Sequence, residues 1–218
     1  MHHGRKPGTD AARDLLALAS STGGLEALRI VLGTLPRGYP AAIAIVHHRM
    51  PAHAHLLCEL LSEWSALDIR DASEGDRLLP GRVLIAPPDR HMIVRPDRTI
   101  TLRDGPPVHH VLSSADPLFE SAAAVYGARL TAIVLTGHDG DGSGGVREVR
   151  RHGGTVIAQD PATAMCGDMP RSSIATGSVD LVLTLEEIAA RLLARGVDEL
   201  VRSRAAADAS SDRPADHS

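Results

Sequence analysis

Short apolar runs, none longer than a strand requires, alternate along this chain with stretches whose apolar residues recur every three or four positions. "LLALA" (15–19) precedes a helical pattern from Leu25 to Leu35, and "AAIAIV" (41–46) precedes another from about Ala52 to Trp64, with Leu56, Leu57, Leu60 and Leu61 on one face. "RVLIAP" (82–87) leads into "HMIVRP" and "TITLR", which predict a hairpin around Pro96–Asp97–Arg98. A helix over Asp116 to Tyr126, a strand at "LTAIVLT" (130–136), a short helix over Val146 to Arg151 and strands at "TVIAQD" (155–160) and "VDLVL" (179–183) follow. Thr184 with Glu187 three residues on forms a capping box, behind which Ile188 and Leu192 repeat at i, i+4. Nearly continuous apolar strands are buried on both faces, and their alternation with amphipathic helices predicts a doubly wound α/β fold. The expected architecture is a mostly parallel sheet with helices on both faces, a three-layer sandwich, plus one antiparallel hairpin.

The ends of the chain read differently. Residues 1–13 are polar and lack the apolar core of a signal peptide. After Val201 there is no Leu, Ile, Val, Met or aromatic residue, so a folded domain is expected over 14–197 and a solvated, disordered tail over 198–218. No apolar run approaches the ~20 residues of a membrane span, and a soluble cytoplasmic chain is expected.

Composition excludes several function classes. One Trp, one Phe and two Tyr leave little to stack on nucleic-acid bases, and a formal charge of −4 without a long basic run does not favour phosphate binding. Cys58 and Cys166 stand alone and far apart, which argues against both a disulfide scaffold and a zinc ribbon.

Ligands of open α/β sheets bind outside the carboxyl ends of the strands, so the residues following each strand form a filter. Ser20, Ser21 and Thr22 follow 15–19, His47 and His48 follow 41–46, and "GHDGDGSGG" after 130–136 holds His138, Asp139 and Asp141. A hydroxyl, an imidazole and a carboxylate thus emerge at one rim. A serine hydroxyl is a weak nucleophile at neutral pH and needs a base near pKa ~6.5, which histidine supplies. The imidazole in turn needs a carboxylate to fix its tautomer and stabilise the cation that forms. Gly23 and Gly24 let backbone N–H groups and a helix N-terminus approach a developing oxyanion, each donor being worth roughly 3–4 kcal/mol of barrier.

Plainer readings exist for each block alone: Ser-Thr-Gly-Gly caps a helix, a lone histidine lies on the surface, an Asp/Gly loop is a turn. Their joint occurrence after three strands favours catalysis. A calcium loop beginning at Asp139, with Asp141, Ser143 and Gly144 in register, fails where Arg150 stands in place of the bidentate Glu. A phosphate-binding loop fails for want of Gly-Lys-Ser/Thr. His47, His48, His53, His55, His138 and Asp139 match no paired metal-ligand spacing, so neither metal nor cofactor is expected.

These residues resemble the CheB-type protein-glutamate methylesterase catalytic domain over about residues 14–195. "ALASSTGG" is similar to that family's nucleophile turn, and the resemblance assigns the nucleophile to Ser21 rather than Ser20. "IVHHRMP" is similar to the block carrying the base, which maps to His48, and "LTGHDGDGSGG" to the block carrying the acid, which maps to Asp141. "LLPGRVLIAPPDRHM", "SSADPLFES" and "MPRSSIATG" also look like family segments. The resemblance implies a serine esterase hydrolysing glutamyl methyl esters on chemoreceptor-type signalling proteins to glutamate and methanol, with glutamine deamidation in some members. Thr22 and the backbone N–H of His138 are implied in substrate positioning and the oxyanion hole. Ser20, His47, Arg49, His138 and Asp139 depart from the family pattern. The family's chemotaxis enzymes carry a preceding receiver domain, and the short polar segment before the first strand points to constitutive activity or a separate regulatory partner. The rival reading is a non-catalytic adaptor that keeps the fold and only binds receptor-like helices.

Overall fold

The computed structural model describes residues 11–49, 54–105 and 113–211. Seven parallel strands form the central sheet: β1 (Leu15–Ser20), β2 (Ala42–His47), β3 (Asp68–Asp71), β4 (Arg82–Ile85), β7 (Leu130–Val134), β8 (Thr155–Gln159) and β9 (Leu181–Leu183). Their order is β3-β4-β2-β1-β7-β8-β9. The chain builds outward from β1 on one side, then returns to lay β7 along its other edge. β1 therefore sits at the point where the winding reverses, where ligands of such sheets bind. The separate antiparallel pair, β5 (His91–Val94) and β6 (Ile100–Arg103), is the expected hairpin.

Alternation along each strand sorts the side chains into two cores. Leu16, Leu18, Ile43, Ile45, Ile133 and Ile157 pack with α1 (Gly24–Gly33), α2 (Ala54–Trp64) and α6 (Leu185–Ser211), through Leu28, Leu32, Leu61, Ile188 and Leu192. The opposite face presents Ala17, Ala19, Ala42, Ala44 and Ala132 to α3 (Ala115–Tyr126) and α4 (Gly145–Arg151). Alanines on that face leave room for Phe119 and Leu118, both fully buried, to lie close to the sheet. Burying each such side chain is worth about 1.5–3 kcal/mol, so shape matching across this layer is a main source of stability. This is the three-layer sandwich predicted from the alternation of elements.

Local expectations meet the structure in instructive ways. The capping box forms as read: Glu187 accepts the Thr184 N–H at 2.8 Å and Thr184 Oγ1 accepts the Glu187 N–H at 3.3 Å. The hairpin turns at Pro96–Asp97–Arg98, where Arg98 takes φ 61° and its N–H donates to the Arg95 carbonyl. Residues 52–53, the expected start of α2, lie outside the described residues. β3, "DIRD", went unread because an edge strand with alternating exposed charges carries no apolar run. α5 (Asp168–Ala175) also went unread, since its buried side is Met169, Pro170 and Ser173 rather than a leucine stripe. α6 continues to Ser211, past the boundary expected at 197. The lack of large apolar residues removes a packing face but not helix propensity, which is highest for the alanines abundant there.

Candidate active site

Parallel pairing sets the first two members. β1 and β2 are in register with Ser20 opposite His47, and the His48 N–H donates to the Ser20 carbonyl at 3.0 Å. Ser21 and His48 are thus the first residues past the ends of two adjacent strands. Ser21 is held by its own N–H, which donates to the Thr136 carbonyl at 2.9 Å just beyond β7. Gly23 then takes φ +80° to turn the chain into α1, a conformation that side chains with a Cβ rarely adopt.

Adjacent repetition in "SS" and "HH" makes two hydroxyl–imidazole pairings conceivable, and burial separates the two serines. Ser20 is fully buried, with its hydroxyl 2.9 Å from His47 Nδ1. Burial, reinforced by the charges of Arg49 and His48, pushes the His47 pKa down to about 4. The neutral His47 ring and the Ser20 hydroxyl thus satisfy one another. Ser21, by contrast, is half-buried at the rim, as are both histidines.

His48 Nε2 donates to Asp141 Oδ2 at 2.8 Å. The carboxylate is fully buried and has two further anchors. Ser114 Oγ donates to Oδ1 at 2.5 Å, the Ala115 N–H donates to Oδ2 at 2.7 Å, and both donors stand at the N-terminus of α3, whose dipole favours an anion. Burial alone would raise the Asp141 pKa, but the hydrogen bonds from His48, Ser114 and Ala115 hold it below the ordinary carboxylate value. With Nε2 committed to the acid, Nδ1 is the nitrogen left to receive a proton from Ser21. The Ser21 hydroxyl is not hydrogen-bonded to His48 in this structure, and contacts of that kind commonly tighten only when substrate arrives.

A second set of contacts holds the turn over the site. Thr136 Oγ1 donates to the Thr22 carbonyl at 2.8 Å and accepts the Cys166 N–H at 2.9 Å. Gly137 lies so close to Ser21 that an added Cβ would stand 2.8 Å from the Ser21 Cβ and 2.1 Å from Met169 Sδ. Among the described residues, the backbone N–H groups of Thr22 and His138 have no acceptor, so both are available to an oxyanion. The His138 side chain is exposed and turns away to Cys166 and Asp168, with Nδ1 2.9 Å from Cys166 Sγ and 3.4 Å from Asp168 Oδ2.

Ser21, His48, Asp141 and Thr22 therefore lie at one rim, and the His138 side chain turns away from them. Asp139, at φ 67°, forms the bend of the loop, and His47 is paired with Ser20. Ser114 and Thr136 were missed. Ser114 carries a helix-start signal, a serine two residues before an acid and three before a proline, which marks a cap but not a tie to Asp141. Arg49 pairs with Asp71 beneath the rim.

Comparisons with known proteins bear on the same residues. A family model described as CheB methylesterase matches residues 16–192. The chain is similar to a protein-glutamate methylesterase/protein-glutamine glutaminase of Moorella thermoacetica, with 40% identity over 202 residues covering 88% of this chain and 46% of that protein. A relative of the same designation from Anaeromyxobacter dehalogenans, its number 2, is 41% identical over 182 residues, covering 84% of this chain and 53% of the relative. The chain spans about half the length of the curated relatives it matches. The crystal structure of the Thermotoga maritima CheB methylesterase catalytic domain superposes with a TM-score of 0.80 at 33% identity, covering 83% of this chain and 97% of that one.

Proposed function

The chain belongs to the CheB methylesterase family, and from that premise we propose that it hydrolyses glutamyl methyl esters on chemoreceptor-type signalling proteins, releasing methanol. The observation that carries the reading is the buried Asp141 carboxylate bonded to His48 at 2.8 Å, one residue beyond the strand paired with the one that delivers Ser21. Ser21 attacks the ester carbonyl as His48 Nδ1 takes its proton. The N–H groups of Thr22 and His138 receive the oxyanion, and Asp141 stabilises the imidazolium. Collapse of the tetrahedral intermediate expels methanol with the proton from His48. Water, deprotonated by the same ring, then releases the glutamate and restores Ser21. A glutamine side chain follows the same route with ammonia as leaving group, which makes deamidation a second activity of the site.

The surroundings fit a protein substrate. Thr22, Met165 and His138 are exposed beside Ser21, so an extended or helical segment can reach the hydroxyl from outside. No helix among the described residues is long and apolar enough to cross a membrane. Action on the cytoplasmic part of a receptor, under control of a separate regulatory partner, is part of the proposal. A non-catalytic adaptor has no use for the three bonds that hold Asp141. The test is incubation with methyl-labelled chemoreceptor membranes, following volatile methanol for the wild type beside Ser21→Ala. Equal release by the two proteins would remove the proposal.

A further inference from the structure

The loop that carries Asp141 and the start of α5 together hold a second constellation, whose side chains the esterase chemistry does not use. His138 Nδ1, Cys166 Sγ and Asp168 Oδ2 lie within 4.8 Å of one another. The separations are 2.9 Å from nitrogen to sulfur, 3.4 Å from nitrogen to oxygen and 3.6 Å from sulfur to oxygen. Zinc binds sulfur at about 2.3 Å and nitrogen or oxygen at about 2.0–2.2 Å, and donors at those lengths around a tetrahedral centre stand about 3.4–3.6 Å apart. Two of the three distances already match. The third needs the imidazole and thiol to part by about half an ångström, a small rotation for an exposed histidine.

We propose that His138, Cys166 and Asp168 form a binding site for a divalent transition-metal ion of the zinc class, with solvent in the fourth position. A thiolate, an imidazole and a carboxylate together favour such an ion over calcium or magnesium, which take oxygen donors. Binding releases the Cys166 thiol proton to solvent as the sulfur–metal bond forms.

Backbone pairing presents these donors. Gly137 and Gly167 form an isolated parallel bridge, the Gly137 N–H donates to the Cys166 carbonyl at 2.9 Å, and the Met169 N–H donates to the Gly137 carbonyl at 3.0 Å. The Cys166 N–H is held on Thr136 Oγ1. Asp168 is divided: Oδ1 lies 3.4 Å from Arg171 Nη1 and Oδ2 faces the histidine and thiol. Spacing rules could not find this site, because its ligands come from two segments far apart in the sequence. An ion held there ties the acid-bearing loop to the start of α5.

The experiment is calorimetric titration of reduced, untagged full-length protein with Zn²⁺, alongside Co²⁺ titration followed by absorption. One equivalent should bind, and the cobalt form should show a thiolate-to-metal charge-transfer band. Cys166→Ser should abolish that band, and both Cys166→Ser and His138→Met should weaken zinc at least tenfold, with far-ultraviolet circular dichroism unchanged. Cys58→Ser should bind as the wild type does. Absence of the cobalt–thiolate band, or wild-type zinc affinity in Cys166→Ser, would overturn the proposal. Both readouts are independent of turnover, so this result and the esterase test fail separately.

Discussion

Ser114 donates its hydroxyl to Asp141 Oδ1 at 2.5 Å while its oxygen accepts the Asp116 N–H that opens α3. One side chain thus caps a helix and seats the acid of the proposed triad. Ser114→Ala should cost about 1–2 kcal/mol in urea unfolding through the lost cap, and lower kcat for methanol release about tenfold with little change in KM. Asp141→Asn should do far more, about 10⁴-fold in kcat, because an amide cannot favour the required tautomer or stabilise the imidazolium. A Ser114→Ala enzyme with wild-type kcat would show that the acid needs no support from α3.

The two adjacent serines should separate cleanly. Ser21→Ala removes the proposed nucleophile and should leave no methanol release above background while melting with the wild type. Ser20→Ala removes the buried partner of the half-buried His47 imidazole and should cost about 1–3 kcal/mol in stability, with turnover largely kept. Loss of activity in Ser20→Ala, with Ser21→Ala active, would reverse the assignment.

His47 sets an acid-sensitivity that can be calculated in sign. Its folded pKa, near 4, lies below the ordinary value of 6.5, so the unfolded chain binds more protons between those values. Stability contributed by the neutral ring is complete above pH 6.5 and is lost as pH falls toward 4. The full loss amounts to about 3 kcal/mol at about 1.4 kcal/mol per pKa unit. Asp141, held below its ordinary value, contributes stability that persists through this window and disappears only at lower pH. His47→Gln should therefore flatten the dependence of unfolding free energy on pH between 7 and 4, and parallel curves for the two proteins would contradict the assignment.

Thr136→Val keeps the bulk of a buried side chain but deletes the hydroxyl that joins the Thr22 carbonyl to the Cys166 N–H. Leaving those groups without a partner should cost about 1–3 kcal/mol, and the loosened turn should lower kcat more than it raises KM. Stopped-time methanol assays and thermal melts on the same preparation would decide this. A change confined to stability would mean the turn keeps its shape without the tie.

Much of this site was legible before any coordinates because strand ends are where polar residues become exposed to one another. Ser20–Ser21, His47–His48 and Asp141 each follow an apolar run, and parallel pairing in register then brings them together. What could not be read is contact across the fold. Ser114 meets Asp141 27 positions away, and His138 meets Cys166 28 positions away, through bridges that leave no periodicity. The resemblance assigned Ser21 rather than Ser20, but the physical difference between the two is burial, which neighbouring identical residues do not reveal. β3 and α5 escaped notice because neither presents a run of large apolar side chains.

Placing β7 beside β1, with the acid 93 positions after His48, also has a consequence during synthesis. At about 5–20 residues per second, roughly 5–20 seconds pass between the emergence of the base and that of its carboxylate. Throughout that interval one margin of β1, "LLALAS", has no neighbour, and an apolar strand left open invites pairing with other chains. The nascent polypeptide is therefore most exposed to aggregation, and still without its acid, until residues 130–141 have left the ribosome.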